Sequence, residues 1–380
     1  MTRTATEHAR RPRTAALAAL SVAALALTGC SLSGQGGSGS SSAAGSADAA
    51  AAATTSGSAA SGSDSAGGGK TVTIMTHDSF ALPEELIARF EQESGHQLST
   101  TAPGDAGSVV NQLLLAKDHP TVDGVYGIED HSTHRLIDEG VVAEYTPANL
   151  PESAKDRVVE GRMIPVDQGQ VCLNVDTPWF EAEGMEVPDS LEDVTDPQYA
   201  TLTVLTSPVT SSPGLALLAA TKEEFGDDWR GWWEKALDGG AKVDASWSDA
   251  YYTDFSGGEG KGEYPIVLSY SSSPAFAPAT DVLEASCTPQ TEYAGVVEGA
   301  KNPEGAQAFI DFLLSEDVQK ALPESMYMYP IDESVELPAE WAENAPLAED
   351  PISPDPKAVD AEREELLKEW TALHEEHAGK

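Results

Sequence analysis

Basic side chains are scarce in this sequence, and their scarcity excludes one large class of partner. Lysine and arginine number 22 against 63 aspartate and glutamate residues, which gives the 380-residue chain a formal net charge of −41. A surface this acidic repels the phosphates of nucleic acids and the headgroups of anionic lipids. The composition therefore indicates that nucleic acid is not a partner; the charge would attract a cationic ligand, or it serves only to keep the protein soluble.

Cysteine is also rare, with three residues in the chain, and no Cys-x-x-Cys pair occurs. Cys172 and Cys287 are the two cysteines of the main body, and an even pair in an exported protein predicts a disulfide. Two His-x-x-His pairs, His131/His134 and His374/His377, stand among acidic residues without a third ligand nearby. We interpret both pairs as solvated helix faces and predict no metal site.

Sequence motifs of hydrolases are absent as well. The chain has no Gly-x-Ser-x-Gly, His-Glu-x-x-His or Ser-x-x-Lys motif. Its carboxylates are too numerous to single out one catalytic pair. The sequence therefore predicts that the protein is not an enzyme and needs no cofactor.

The first 69 residues predict export and a tether. Arginines at the start precede an apolar run over residues 15–27, which is shorter than the roughly 20 residues of a membrane span and is typical of a signal peptide. Residues 27–30 read Leu-Thr-Gly-Cys, which resembles the lipobox of bacterial lipoproteins and implies cleavage after residue 29 and a lipid on Cys30. Residues 31–69 are almost wholly Ser, Gly, Ala and Thr, so we expect residues 30–69 to be a flexible, lipid-anchored tether.

From residue 70 onward the pattern alternates between strands and helices. A strand over residues 71–76 is followed by an amphipathic helix, a second strand over 96–101 and a helix that begins at Ser108. The alternation continues to a last amphipathic helix over about 355–374. Three tryptophans at helical spacing, Trp229, Trp232 and Trp233, predict core packing. The fold class is therefore α/β with mostly parallel strands.

Polar side chains follow the predicted strands, where open α/β sheets hold their ligands. Backbone N–H groups and hydroxyls at such turns also suit a phosphate group. Five such turns together predict a small-ligand cleft. The residues of these turns that we consider candidates for binding are His77, Asp78, Asp105, Ser108, Glu129, Ser211 and Tyr270.

The same segments resemble a known family. An export signal, a lipid anchor and an α/β body are similar to the type II solute-binding proteins of ABC importers, and within them to the thiamine-binding proteins. The run Trp-Ser-Asp-Ala-Tyr and the turn Ser-Tyr-Ser-Ser-Ser-Pro are the most specific pieces of the resemblance. The resembling segments are residues 76–80, 123–130, 165–169, 210–215, 246–251, 267–274 and 328–330.

The resemblance implies a two-lobed fold in which each lobe is a mixed, mostly parallel sheet flanked by helices. Two crossover strands would join the lobes, near residues 169–176 and 293–297. Lobe 1 would comprise residues 70–168 plus 293–322, and lobe 2 residues 172–290 plus 323–376. The implied function is an extracytoplasmic lipoprotein, monomeric and anchored to the cell membrane by its lipid. It would deliver thiamine, thiamine monophosphate or thiamine diphosphate to the permease and ATPase subunits of an ABC importer.

The resemblance also assigns residues to the pocket. Trp247 and Tyr327 match aromatic positions of the thiamine site, and the cationic thiazolium of thiamine suits such rings. Ser211 and Tyr270 match positions near a phosphate or the hydroxyethyl arm, while Asp78, Asp105 and Ser108 would line the first lobe. His77 and Phe276 stand where relatives often have tyrosine, so the polar edges of the pocket differ here.

Two other ligands fit parts of this pattern. A polyamine would also suit Trp247 and the serine-rich turns. It carries no anionic group, however, so it would not use the turns that are suited to a phosphate. Ferric iron would need a pair of tyrosines in the turn after Val267 and Leu268, and serines occupy that turn. The adjacent Tyr251 and Tyr252 are such a pair at a different place, so iron is disfavoured.

Overall fold

The computed structural model describes residues 70–258 and 260–377. Within those ranges nine strands form one sheet. The strands are β1 (Thr71–Met75), β2 (Gln97–Thr101), β3 (Gly124–Glu129), β4 (Ile164–Asp176), β5 (Thr203–Thr206), β6 (Lys242–Asp244), β7 (Ile266–Tyr270), β8 (Thr280–Val296) and β9 (Tyr329–Pro330). They lie in the order β2-β1-β3-β8-β4-β7-β5-β6, with β9 paired to β4.

Helices pack around this sheet. Their bounds are α1 (Glu84–Ser94), α2 (Ala106–Ala116), α3 (Thr133–Asp138), α4 (Thr177–Glu183), α5 (Pro197–Ala200), α6 (Ser212–Phe225), α7 (Trp229–Asp238), α8 (Trp247–Asp249), α9 (Ser273–Phe276), α10 (Pro303–Leu313), α11 (Glu316–Met326), α12 (Ala339–Asn344) and α13 (Pro356–His377). Short 3₁₀ turns cover Asp130–Ser132, Glu152–Arg157, Asp193–Thr195 and Gly226–Asp228, and a π turn covers Ala250–Asp254. The alternation of strands and helices confirms the predicted α/β class.

Strand direction divides the sheet into three parts. β1, β2 and β3 pair in parallel, and so do β5, β6 and β7. Between these groups lie β4 and β8, the two longest strands, which pair antiparallel with each other and with their other neighbours. Both predicted crossover segments fall mainly within these two strands. Parallel pairing therefore holds within each group of three, while the connecting strands are antiparallel.

The predicted tryptophan cluster lies in the core. Trp229, Trp232 and Trp233 are at most 4% exposed, and the Trp233 ring packs edge-on against Trp370 of α13 at 5.6 Å. The indole N–H of Trp233 donates to the hydroxyl of Thr221. The spacing i, i+3, i+4 thus predicted the packing face of α7 correctly.

Cys172 in β4 and Cys287 in β8 form a disulfide across 115 residues of sequence, as the cysteine count predicts. Both side chains are buried. The bond therefore cross-links the two long central strands.

The last helix changes the interpretation of the histidine pairs. His374 stacks on Trp370 at 4.9 Å, and His377 bonds the Leu373 carbonyl and lies 3.3 Å from Asp238. His131 is 3% exposed, and burial beside Arg363 lowers its pKa to about 4. The prediction of solvated faces is therefore wrong for His131, because α13 covers the turn that carries it.

None of the helices in the described ranges is long and apolar enough to cross a membrane. The same ranges contain no group of three His, Cys, Asp or Glu side chains placed to hold a metal ion. The predicted signal peptide, Cys30 and the tether to residue 69 lie outside the described residues.

Candidate functional site

A small cavity of about 40 Å³ lies where the central strands meet the loops that lead into α8 and out of α11. Ligand pockets for small molecules usually measure about 300–1,000 Å³. The cavity is therefore nearly closed in this conformation, and its walls must separate to admit a ligand. The residues that line it are His77, Ser79, Trp247, Tyr252, Tyr270, Glu292, Met326, Tyr327 and Met328.

Aromatic rings form one wall of the cavity. Trp247 lies 5.9 Å from Tyr270 and 6.4 Å from Tyr327, measured between ring centroids. Tyr252 packs edge-on against Trp247 from the π turn that follows α8. Tyr251 stacks behind Trp247 at 5.1 Å with an interplanar angle of 16°. A flat aromatic or cationic ligand would find several ring faces and edges here.

Local hydrogen bonds fix the Trp247 ring. The Ser246 hydroxyl caps α8 by accepting from the Asp249 N–H at 3.2 Å. The indole Nε1–H of Trp247 donates to the Ser269 hydroxyl at 2.9 Å. The backbone N–H of Trp247 donates to Oδ2 of Asp105 at 3.1 Å. Hydrogen bonds therefore fix both the backbone N–H and the indole ring of Trp247, so the ring is preorganised for binding.

Two buried carboxyl groups lie side by side in the central strands, and one of them, Glu292, lines the cavity. Asp167 in β4 and Glu292 in β8 are partners in the register of the two strands. The Tyr126 hydroxyl donates to Asp167 and lies 3.1 Å from Oε2 of Glu292. Burial and the neighbouring Glu292 raise the pKa of Asp167 well above its usual range. Of the two acids, Glu292 lines the cavity and Asp167 does not.

His77 pairs with the side chain of Glu292 in the cavity. Its Nε2 lies 3.5 Å from Oε2 of Glu292, and its Nδ1 lies 2.8 Å from the Ser79 hydroxyl. Burial lowers the pKa of His77, but the nearby Glu292, Asp105 and Asp78 side chains together outweigh this effect and raise the pKa above 6.5. Gly127 has φ +87°, and a Cβ there would lie 2.1 Å from the His77 ring. Glycine at this position leaves the space that the ring occupies.

Direct contacts join two parts of the chain beside Trp247. The Gly107 N–H at the start of α2 donates to the Thr210 carbonyl at 3.0 Å. A Cβ on Gly107 would lie 2.6 Å from the Val209 carbonyl oxygen. Together with the bond from Trp247 to Asp105, these contacts join the β1–β3 part of the chain to the β5–β7 part.

Four of the ten predicted binding residues line the cavity: His77, Trp247, Tyr270 and Tyr327. Asp105 and Ser211 do not line the cavity but are buried beside Trp247, and Asp105 also accepts from the Ala106 N–H at 2.6 Å. Phe276 lies behind Tyr327, with the two ring centroids 4.0 Å apart.

Three predicted residues lie elsewhere. Asp78 is exposed, and Ser108 is half-buried in the first turn of α2. Glu129 is 2% exposed and accepts from the Ser132 hydroxyl, away from the cavity. Burial raises its pKa to about 7, and Arg363 of α13 opposes this effect. The turn after β3 thus supports the docking of α13 and does not line the cavity.

Sequence reasoning missed Ser79, Tyr252, Glu292, Met326 and Met328. Ser79 and Met328 lie within the segments that resemble the family, and that resemblance is a signal that could have identified them. In the sequence, Tyr252 stands out only as half of a tyrosine pair that could bind iron. Glu292 directly precedes the predicted strand 293–297 and had no signal of its own, because its position depends on pairing with Asp167.

Wider grooves occur on the surface, but their chemistry differs. Grooves of about 380 and 480 Å³ lie beside the first turns of α13, and charged side chains such as His134, Glu160 and Lys357 line both. None of the ten predicted binding residues lines either groove. The small aromatic cavity is therefore the candidate site.

Comparisons with known proteins agree on a family. The family described as bacterial extracellular solute-binding protein matches residues 121–349. A thiamine-binding periplasmic protein of Brucella suis is 29% identical over 320 residues, covering 80% of this chain and 91% of that protein. The protein of the same description from Escherichia coli is 28% identical, covering 79% and 92%. A solved structure of a periplasmic thiamin binding protein has a TM-score of 0.69 at 26% identity, covering 80% of this chain and 96% of that one.

Proposed function

The chain belongs to the bacterial extracellular solute-binding protein family, and from this premise we propose that it captures thiamine in the aromatic cavity around Trp247. The observation that carries the proposal is the pairing of several aromatic rings with the buried Glu292 carboxylate in one cavity. The relatives named as thiamine-binding proteins support it. The protein would act by binding and release, without catalysis.

The chemistry of thiamine fits both the aromatic rings and the Glu292 side chain that line the cavity. Its thiazolium is a planar cation, and a cation over an indole or phenol face gains about 0.5–2 kcal/mol. Glu292 supplies the negative charge that such a cation needs in a buried place. A polyamine would use the carboxylate but would leave most of the ring faces without a planar partner. Iron has less support, because Tyr251 is buried in a stack between Trp247 and Phe255.

We also propose where the protein acts and how it closes on its ligand. The predicted lipid on Cys30 would hold a monomer at the outer side of the cell membrane, and the tether would let the body reach an ABC permease with its ATPase subunits. The lobes predicted from the sequence, residues 70–168 plus 293–322 and 172–290 plus 323–376, would close around thiamine by bending in β4 and β8. The three groups of strands support this division.

Titration calorimetry of the mature protein with thiamine, spermidine and ferric citrate tests the proposal. We expect saturable one-to-one binding of thiamine and much weaker binding of the other two. Mass spectrometry of the ligand carried through purification gives an independent answer. Binding of spermidine or iron in preference to thiamine would contradict the proposal.

Closure of the cleft should depend on Gly107. A Cβ at this position would meet the Val209 carbonyl at 2.6 Å, so Gly107→Ala should keep the cleft from closing. We expect thiamine affinity to fall by about tenfold, or about 1.4 kcal/mol. In small-angle scattering, wild type should contract on adding thiamine and the variant should contract less. Gly231→Ala is the matched control, because a Cβ at Gly231 meets nothing within 4 Å. Equal contraction and affinity in all three proteins would contradict the closure mechanism.

The unphosphorylated form of thiamine should bind best. Asp105 already accepts from the backbone N–H groups of Ala106 and Trp247, so its carboxylate occupies donors that a phosphate would use. We expect thiamine diphosphate to bind at least about tenfold more weakly than thiamine, a difference of about 1.4 kcal/mol. Asp105→Asn should reduce this ratio, because it removes the charge that repels the phosphate. Competition titrations with both ligands measure the ratio, and equal affinities in wild type would contradict the prediction.

A further inference from the structure

His77 and Glu292 form a buried ion pair that a cationic ligand must disturb. Both side chains line the cavity, and they are 5% and 4% exposed. The Nε2 of His77 and Oε2 of Glu292 are 3.5 Å apart, with the cavity beside them. A cation that enters this cavity meets an imidazolium and a carboxylate whose charges oppose each other. Removal of the imidazolium charge strengthens the attraction of the cavity for the ligand.

We propose, resting on the function above, that a bound thiamine takes the place of the imidazolium charge beside Glu292, so that each capture releases a proton from His77 to solvent. The ligand carries one positive charge, and the proton that leaves His77 carries one, so the charge of the cavity is conserved. Neutral imidazole keeps its contact with the Ser79 hydroxyl. Cations are thereby selected over neutral molecules of the same shape, which cannot replace the lost charge.

The surroundings identify His77 as the group that gives up the proton. Burial raises the pKa of Asp167, but Asp167 does not line the cavity. Burial also raises the pKa of Asp105, against hydrogen bonds from Ser211, Ala106 and Trp247, and Asp105 does not line the cavity either. His77 is the base among the cavity-lining residues of the described chain that changes charge near neutral pH. The titratable groups around it are Glu292 on β8, Asp105 at the start of α2, Asp78 on its own loop, Tyr126 on β3 and Tyr270 on β7.

The sign of the pH effect follows from this exchange. The Glu292 carboxylate raises the pKa of His77, so the imidazolium persists above the usual range of histidine when no ligand is bound. Below that raised pKa, thiamine affinity should fall by about tenfold for each unit of decreasing pH. The reason is that thiamine binding releases a proton, and the proton concentration that opposes this release rises tenfold with each unit. Above it, affinity should be constant.

Calorimetry of the mature protein with thiamine, in buffers of different ionisation enthalpy, measures the proton directly. We expect release approaching one proton per thiamine at about pH 6, declining to none at alkaline pH. His77→Gln should bind thiamine with no release in this range and with a flat pH profile. His119→Gln, at an exposed position outside the cavity, should release protons as wild type does. A neutral thiamine analogue, with an uncharged ring in place of the thiazolium, should bind weakly and release none.

Other outcomes separate this inference from the proposed function. Thiamine binding without proton release at any pH, or unchanged release in His77→Gln, would overturn the inference and leave thiamine capture standing. If spermidine binds and thiamine does not, the proposed function fails, and the same proton measurement with spermidine decides the inference. If His77→Gln does not fold, the carbon-labelled histidine resonances of wild type give the answer. A histidine signal that moves toward the neutral form on adding ligand supports the exchange, and signals that all stay unchanged overturn it.

Discussion

Replacing Trp247 with alanine is expected to weaken thiamine binding by about 30- to 1000-fold, which corresponds to about 2–4 kcal/mol. The loss has two sources, the face of the indole that meets the ligand and the area that the ring removes from water. Trp247 also bonds Ser269 and stacks on Tyr251, so its removal loosens the neighbouring tyrosines of the wall. Quenching of tryptophan fluorescence by thiamine should diminish in the same variant.

Trp233→Ala is the matched control for this prediction. Trp233 is fully buried against Thr221 and Trp370, and it does not line the cavity. Its loss should lower the melting temperature while the folded fraction keeps its affinity. Trp247→Phe, which retains a ring, should recover part of the affinity. A Trp247→Ala protein that binds within about threefold of wild type, a difference under 1 kcal/mol, would show that the site is elsewhere.

Loss of the disulfide between Cys172 and Cys287 is expected to destabilise the folded protein by about 3–5 kcal/mol. The bond closes a loop across 115 residues, so its removal returns a large amount of conformational freedom to the unfolded chain. For a body of this size, the melting temperature should fall on the order of 10 °C. Thermal unfolding of the protein with and without a reductant measures the effect.

The comparison is sharpest in a chain that carries Cys30→Ser, so that Cys172 and Cys287 are the remaining cysteines. Reduction then removes the cross-link while every side chain stays in place. The double variant Cys172→Ala and Cys287→Ala should be at least as unstable as the reduced protein. Two free thiols in the denatured, unreduced chain would show that the bond does not form.

Local patterns were sufficient for much of this protein. Alternating β-branched residues and helical periodicity depend on neighbours a few positions apart, so the strand that opens the body and the packing face of α7 could be predicted. The even number of cysteines was enough to predict the disulfide, because the described residues contain no other cysteine with which either could pair. The segments that resemble the family contain Trp247 and Tyr270, and Tyr327 directly precedes one of them; all three line one cavity.

The carboxylates show where local patterns fail. Glu129 and Glu292 both adjoin a predicted strand, yet the sequence points to Glu129 alone as a binding residue. Glu292 reaches the cavity because the register of β8 on β4 sets it beside Asp167, 125 positions earlier in the chain. Glu129 does not, because α13 returns from the far end of the chain and places Arg363 near it.

Sequence patterns were enough to predict the α/β class, the core tryptophans and the disulfide, and the family resemblance pointed to Trp247 as the ring that should hold the ligand. Long-range contacts placed Glu292 beside His77 in the same cavity and brought the Gly107 N–H to the Thr210 carbonyl. The two groups of features differ in the sequence separation of the residues that produce them. Propensity, periodicity and turn chemistry act within a few residues, whereas strand register and helix docking join residues that are separated by a hundred positions or more and leave no local trace.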